Sequence, residues 1–138
     1  MNLILHALVI LAMVPFCIAS TSNAVMFRMY ITNGIEDNIA VHVFGKDQDY
    51  EGQRTLAFNE EFDYRIRARL GTISSGEFWW GSKYATVSIF NFNIFYSCFS
   101  GNIFKVQRCY WLVRPEGIYI NGKNETFPNS GWHKKVTW

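Results

Sequence analysis

Residues Glu61-Phe62-Asp63-Tyr64-Arg65-Ile66-Arg67-Ala68 alternate apolar and charged without a break. In an extended chain, successive side chains point to opposite sides. Phe62, Tyr64, Ile66 and Ala68 therefore share one face, and Glu61, Asp63, Arg65 and Arg67 share the other. This pattern is that of an antiparallel strand with one buried and one wet face. The same period recurs over Lys83 to Phe92, where Ala85, Val87 and Ile89 oppose Thr86, Ser88 and Phe90. No long 3.6-residue period competes with it. Ile39 to Phe44 is β-branched and apolar on both faces, which places it in the middle of a sheet. Phe104 to Val113 reads as a long strand carrying Cys109 and Trp111. Shorter strands are expected over Phe27 to Ile31, Thr55 to Phe58, Glu77 to Trp80, Ile94 to Cys98 and Ile118 to Ile120.

Turn signals separate these runs: Asn33-Gly34, Asn59-Glu60, Gly71 to Gly76, Ser100-Gly101-Asn102, Pro115-Glu116-Gly117 and Asn121-Gly122. Eight or nine short strands with frequent turns predict an all-β fold, a two-layer sandwich or a barrel. The aromatic content of 17% suits it, because large flat side chains fill the space between sheets. With no repeat, low-complexity tract or linker, one domain spans residues 25–138.

Residues 1–24 hold no Lys, Arg, Asp or Glu. The stretch Leu3 to Ile18 is nearly all apolar, is interrupted by Pro15, and gives way to Ala19, Ser20, Ser22 and Ala24. An apolar core followed by small residues reads as a secretory signal peptide. Cleavage fits after Ala24, and also after Ala19. The stretch is shorter than the ~20 residues that span a bilayer, so the processed chain is expected to be secreted and not membrane-spanning. Cys17 leaves with the leader, and the odd cysteine count becomes a pair, Cys98 and Cys109. In an oxidising compartment that pair is the natural disulfide. Closing so short a loop stabilises by about 3 kcal/mol. Two buried free thiols are the alternative.

Little in the chain points to catalysis. His42 lies in an apolar strand, where a packed core residue is the commoner role, and His133 lies in a polar tail. There is no Gly-x-Ser-x-Gly elbow and no phosphate-binding glycine loop. No cofactor is implied, and two Cys with two His at wide spacing make no zinc site. Asp47 and Asp49, in a charged turn, are too few for calcium. Glu61 and Asp63 fall on a solvated strand face with no pocket in view. Arg65, Arg67 and Arg69 with Lys83 form either an anion-binding patch or an ordinary wet strand face. The 13 Lys+Arg and 11 Asp+Glu balance to +2 without a basic stripe, so nucleic acid is not an expected partner. Asn124-Glu125-Thr126 is an N-glycosylation sequon.

Several segments, in order, resemble the plant self-incompatibility protein family, the S-protein homologues. They are Asn33-Gly34-Ile35, then Val41-His42-Val43 followed by Lys46-Asp47 and Asp49, then Phe62-Asp63-Tyr64-Arg65-Ile66. Phe78-Trp79-Trp80 and Val87 to Asn91 follow, then Cys109-Tyr110-Trp111 and Pro115-Glu116-Gly117-Ile118-Tyr119. The motif positions are His42, Lys46, Asp47, Phe62, Tyr64, Trp111, Gly117 and Tyr119. The resemblance implies an antiparallel β-sandwich of about eight short strands. It also implies an extracellular, non-enzymatic ligand that binds a cell-surface receptor protein. The best-understood members act from the pistil on pollen. Val43 and Trp80 stand where the family carries its first two cysteines. The expectation is that these positions adjoin and that Trp80 fills the vacated space beside Val43.

Binding residues of such a ligand are expected on the loops Lys46 to Gly52, Leu70 to Gly76 and Ser100 to Ile103. A competing reading is a carbohydrate-binding or defence protein, which needs Trp79, Trp132 or Trp138 in a flat exposed row. A small enzyme needs a pocket joining His42 to an acid.

Overall fold

The computed structural model describes residues 24–46 and 48–138. The leader and Asp47 lie outside the described residues. Nine strands and one short helix follow in the order β1 (Val25–Asn33), β2 (Ile39–Gly45), β3 (Gln48–Leu56), β4 (Glu61–Ala68), β5 (Ser74–Trp80), β6 (Lys83–Phe90), α1 (Phe92–Cys98), β7 (Gln107–Arg114), β8 (Gly117–Asn121) and β9 (His133–Val136). They form a five-stranded sheet ordered β4-β1-β7-β8-β9 and a four-stranded sheet ordered β3-β2-β5-β6. The β-sandwich reading holds, with one departure from a wholly antiparallel fold. β1 and β7 run parallel, with Phe27 beside Gln107 and Asn33 beside Val113. β7 follows α1 and enters its sheet from the end at which β1 begins.

The inner faces come from the alternating pattern. Phe27, Met29 and Ile31 of β1, Phe62, Tyr64 and Ile66 of β4, and Cys109, Trp111 and Val113 of β7 are buried. They meet Ile39, Val41 and Val43 of β2, Phe78 of β5 and Ile89 of β6. Phe27 packs edge-on against Phe90 with ring centres 4.8 Å apart, so aromatic rings do link the two sheets. One polar side chain also bridges them. Fully buried Asn33 donates from Nδ2 to the carbonyls of Asp37 and of Leu56 in β3, both at 2.9 Å, and accepts from the Ile35 amide at 2.8 Å. At Gly76 a Cβ would come within 2.8 Å of Ile89, so glycine there lets the neighbouring strand's isoleucine fill the core.

Five local expectations are corrected. Ile94 to Cys98 is helix, not strand: the Asn91 side chain caps it by accepting from the Ile94 amide at 2.9 Å. Ile94 and Cys98, four residues apart, form its buried stripe, a period too short to register in seven residues. The final long strand starts at Gln107, and Phe104 is 92% exposed in the loop before it. Most of Lys46 to Gly52 is edge strand, since β3 runs from Gln48 to Leu56, and the expected strand at Thr55 to Phe58 is only its end. Its register slips between the His42–Gln53 and Phe44–Asp49 pairs, a bulge of the kind that protects sheet edges. The polar segment His133–Val136 adds an unforeseen edge strand, β9. Val43 and Trp80 do not adjoin. Val43 pairs with Gly76, and Trp79 pairs with Ala40. Trp80 thus lies four residues along the strand from Val43, roughly 13 Å at ~3.3 Å per residue. It packs against Trp138 at 5.7 Å and donates to Asp37 at 3.1 Å.

Two measurements test this core. Phe78→Ala should lower unfolding stability by about 3–5 kcal/mol, whereas Phe104→Ala should change it by less than about 0.5 kcal/mol. Equal losses in denaturant titrations would contradict the burial described. Tyr64 is buried, and its hydroxyl makes no well-aligned hydrogen bond, with the buried Ser74 hydroxyl as its polar neighbour. Burial pushes its pKa above the usual 10. The neutral form is therefore favoured by folding, so stability is complete below about pH 10 and falls above it, by up to about 1.4 kcal/mol per pH unit. Tyr64→Phe should flatten that decline, leaving the contributions of Tyr50 and Tyr119, whose pKa values burial raises, and of Tyr84, raised by its hydrogen bond to Glu77. A decline as steep in the variant would assign it elsewhere.

Candidate functional site

Among the described residues, the motif positions do not assemble into one site. Phe62, Tyr64 and Trp111 belong to the core. Gly117 opens β8 at φ 151°, where a Cβ would meet the carbonyl oxygen of Val136, so it is required for β9 to dock. Tyr119 is half-buried and sits edge-on to Phe127, with ring centres 5.0 Å apart. Lys46 is exposed in the turn after β2. Cys98 and Cys109 form the expected disulfide, with Cα atoms 5.4 Å apart, and tie α1 to β7. Asn124 is exposed. It lines a surface groove of about 1040 Å³, shared with Arg108, Lys123, His133 and Lys135.

His42 is not a core residue. β2 is a central strand, but His42 points to the outer face of its sheet. Its Nε2 lies 3.1 Å from Asp49 Oδ1 and its Nδ1 3.5 Å from Glu77 Oε1. Hydrophobicity on both sides of β2 suggested burial; the outward apolar neighbour is Phe44, whose ring lies 5.2 Å from the imidazole. Two acids therefore flank His42 on an outer sheet face.

The anion patch weighed against an ordinary wet strand face does not form from the four residues named for it. Lys83 is on the other sheet, 4.7 Å over the Trp80 ring. In its place, strand register sets Arg65 of β4 beside Arg28 of β1, and Arg28 beside Arg108 of β7. Like charges directly opposite one another are unfavourable. Asp63 offsets this at the centre of the row, 2.6 Å from Arg28, and the hydrogen bond raises the Arg28 pKa further. Arg67 continues the row along β4. The near-neutral total thus conceals segregation. Arg65, Arg67, Arg69, Lys46 and Arg108 lie towards one end of the sandwich, with Asp49 near them, and Glu36, Asp37, Glu60, Glu61 and Glu116 towards the other, with Arg114 and Lys83 among them.

The basic end is built by three short segments held rigidly. In the turn after β4, the Arg69 amide donates to Thr72 Oγ1 at 2.9 Å and the Thr72 amide to the Arg69 carbonyl at 3.1 Å. The helix α1 is capped by Asn91 and fastened by the disulfide. The loop before β7 is organised by Gln107, 1% exposed. Its Oε1 accepts from the Ser100 amide at 2.6 Å, and its Nε2 donates to the carbonyls of Asn102 at 2.7 Å and Lys105 at 2.9 Å. Sequence reasoning missed Gln107, because a lone glutamine has no local signature; its position at an inward site of the alternating strand is the only clue. Of the expected loops, Leu70 to Gly76 is loop only as far as Ile73, since Ser74 to Gly76 opens β5, and this part lies at the same end as Ser100 to Ile103.

Gln107→Leu keeps the size of the side chain but removes all three bonds. It should destabilise by about 1–3 kcal/mol and speed amide exchange over residues 99–106, leaving residues 69–73 unchanged. Uniform exchange across both loops would deny Gln107 this local role.

Comparison with curated proteins and with solved structures found no significant match. Residues 28–138 match the family model described as plant self-incompatibility protein S1. That match covers every strand but the first residues of β1, and the chain belongs to this family.

Proposed function

We propose that the chain is a secreted, non-enzymatic ligand of the self-incompatibility type that acts between cells by binding a cell-surface receptor protein. The observation that carries this reading is the family match over residues 28–138. The apolar leader, the sequon at Asn124 and the Cys98–Cys109 disulfide support it, because all three belong to the chemistry of exported proteins. No helix among the described residues is long and apolar enough to cross a membrane. Trp79, Trp132 and Trp138 are half-buried, and the Trp132 and Trp138 indole nitrogens donate to backbone carbonyls at 3.2 and 2.9 Å. They offer no flat exposed aromatic row, which favours the ligand reading over sugar stacking.

Expression of the full chain in a secretory host should release a protein starting at Val25 or Ser20, read by N-terminal sequencing. Its mass should show no alkylatable thiol before reduction and a glycan lost on Asn124→Gln. Labelled protein from the medium should then bind pollen or another candidate cell type specifically and saturably. Retention of residues 1–24 inside the cell would defeat the secreted reading, and unsaturable binding to every cell type would defeat the receptor reading.

A further inference from the structure

The basic end of the sandwich is also its apolar end. Nine large apolar side chains are exposed among the described residues, and seven of them lie here, which is too uneven for incidental exposure. Leu70 is 98% exposed and Phe104 92%, so almost nothing in the protein covers either. They lie just beyond the end of β4 and just before the start of β7, the two strands on either side of β1. Phe92 and Tyr96 of α1 stand beside Leu70. Between the β4–β5 turn and α1 is an open hollow of about 340 Å³, lined by Leu70, Ile73, Phe92, Phe95 and Tyr96, with Arg69 at its edge. Lys46, Arg65, Arg67 and Arg69 line the adjacent hollow. The side chains of Arg65, Arg67, Arg69 and Arg108 make no hydrogen bond or ion pair among the described residues.

We propose that this end docks onto an anionic lipid surface, with Leu70 and Phe104 entering the interface and the arginines pairing with headgroup phosphates. Projecting tips on separate segments require a partner that yields around them, as lipid does; a rigid protein face would need matching pockets. The largely apolar lining of the open hollow beside Arg69 suits part of an acyl chain below an anionic head. Cations around protruding apolar residues are the combination that holds peripheral proteins on anionic bilayers. Guanidinium is suited to phosphate because it donates in a planar fork. The acids at the far end orient the molecule by repulsion from the same surface. None of this depends on the chain being a receptor ligand.

The test is cosedimentation of the purified secreted chain with vesicles of phosphatidylcholine containing phosphatidylglycerol, and with vesicles of phosphatidylcholine alone. Binding to the anionic vesicles should be at least about tenfold tighter and should weaken as salt is raised. Leu70→Glu with Phe104→Glu, at positions too exposed to affect folding, should reduce binding about tenfold or more. Arg67→Glu with Arg69→Glu should do the same. Phe58→Gln, at the acidic end, should leave it unchanged, and thermal melts should confirm that each variant is folded. The proposal is overturned by absence of binding to anionic vesicles, by equal binding to neutral ones, or by retention of binding in either double variant. It is equally overturned if the tips mediate a protease-sensitive attachment to cells while vesicles are ignored, an outcome that would make this end a protein interface and leave the ligand reading standing.

Discussion

Burial of every second side chain between two sheets is the constraint on which the rest of this molecule depends. Phe27, Met29, Ile31, Ile66, Trp111 and Val113 on one side and Val41, Val43, Phe78 and Ile89 on the other are withdrawn from water together. At about 25 cal/mol per Å² of apolar surface, side chains of this size supply most of the driving force of such a domain. A one-residue slip in any inner strand would expose its whole apolar set. Register is therefore firmly specified, and with it the place of every outward residue. The Arg65–Arg28–Arg108 row exists because Phe27, Ile66 and Cys109 must face inward.

The same constraint divides the labour between core and rim. Most conspicuous motif positions, Phe62, Tyr64, Trp111 and Gly117, build the sandwich or dock its strands. Residues free to meet another surface lie where the strands end. The bonds made by Asn91, Thr72 and Gln107 hold those ends in fixed shape, which lowers the ordering cost of any association there. The family match spans the strands of this scaffold, and the residues most open to a partner lie on its loop tips.

Legibility from sequence followed the range of the forces involved. β4 was readable to the residue, because a half-buried strand writes its environment into alternate positions. β2 was placed correctly in a sheet centre, yet His42 was misassigned, because apolar residues on both faces hide which face is covered. The helix α1 escaped notice because seven residues carry barely two turns of periodicity. β9 escaped because an edge strand at the surface needs no apolar alternation. Trp80 was assigned to the wrong neighbour, since pairing register between β2 and β5 is a long-range fact.

The sequence by itself determined the β class, the single domain, the pairing of Cys98 with Cys109 and most of the inward residues. Each follows from local alternation, turn chemistry or the count of available partners. Only the tertiary structure decided the parallel β1–β7 pair, the two acids around His42, the role of Gln107 and the gathering of cations and exposed apolar tips at one end. Those depend on which strands become neighbours, and neighbours tens of residues apart leave no mark on one another in a single chain. The +2 balance argued only against nucleic acid and left Arg65, Arg67 and Arg69 with Lys83 undecided between an anion patch and a wet strand face, whereas the folded strands set Arg65, Arg28 and Arg108 side by side.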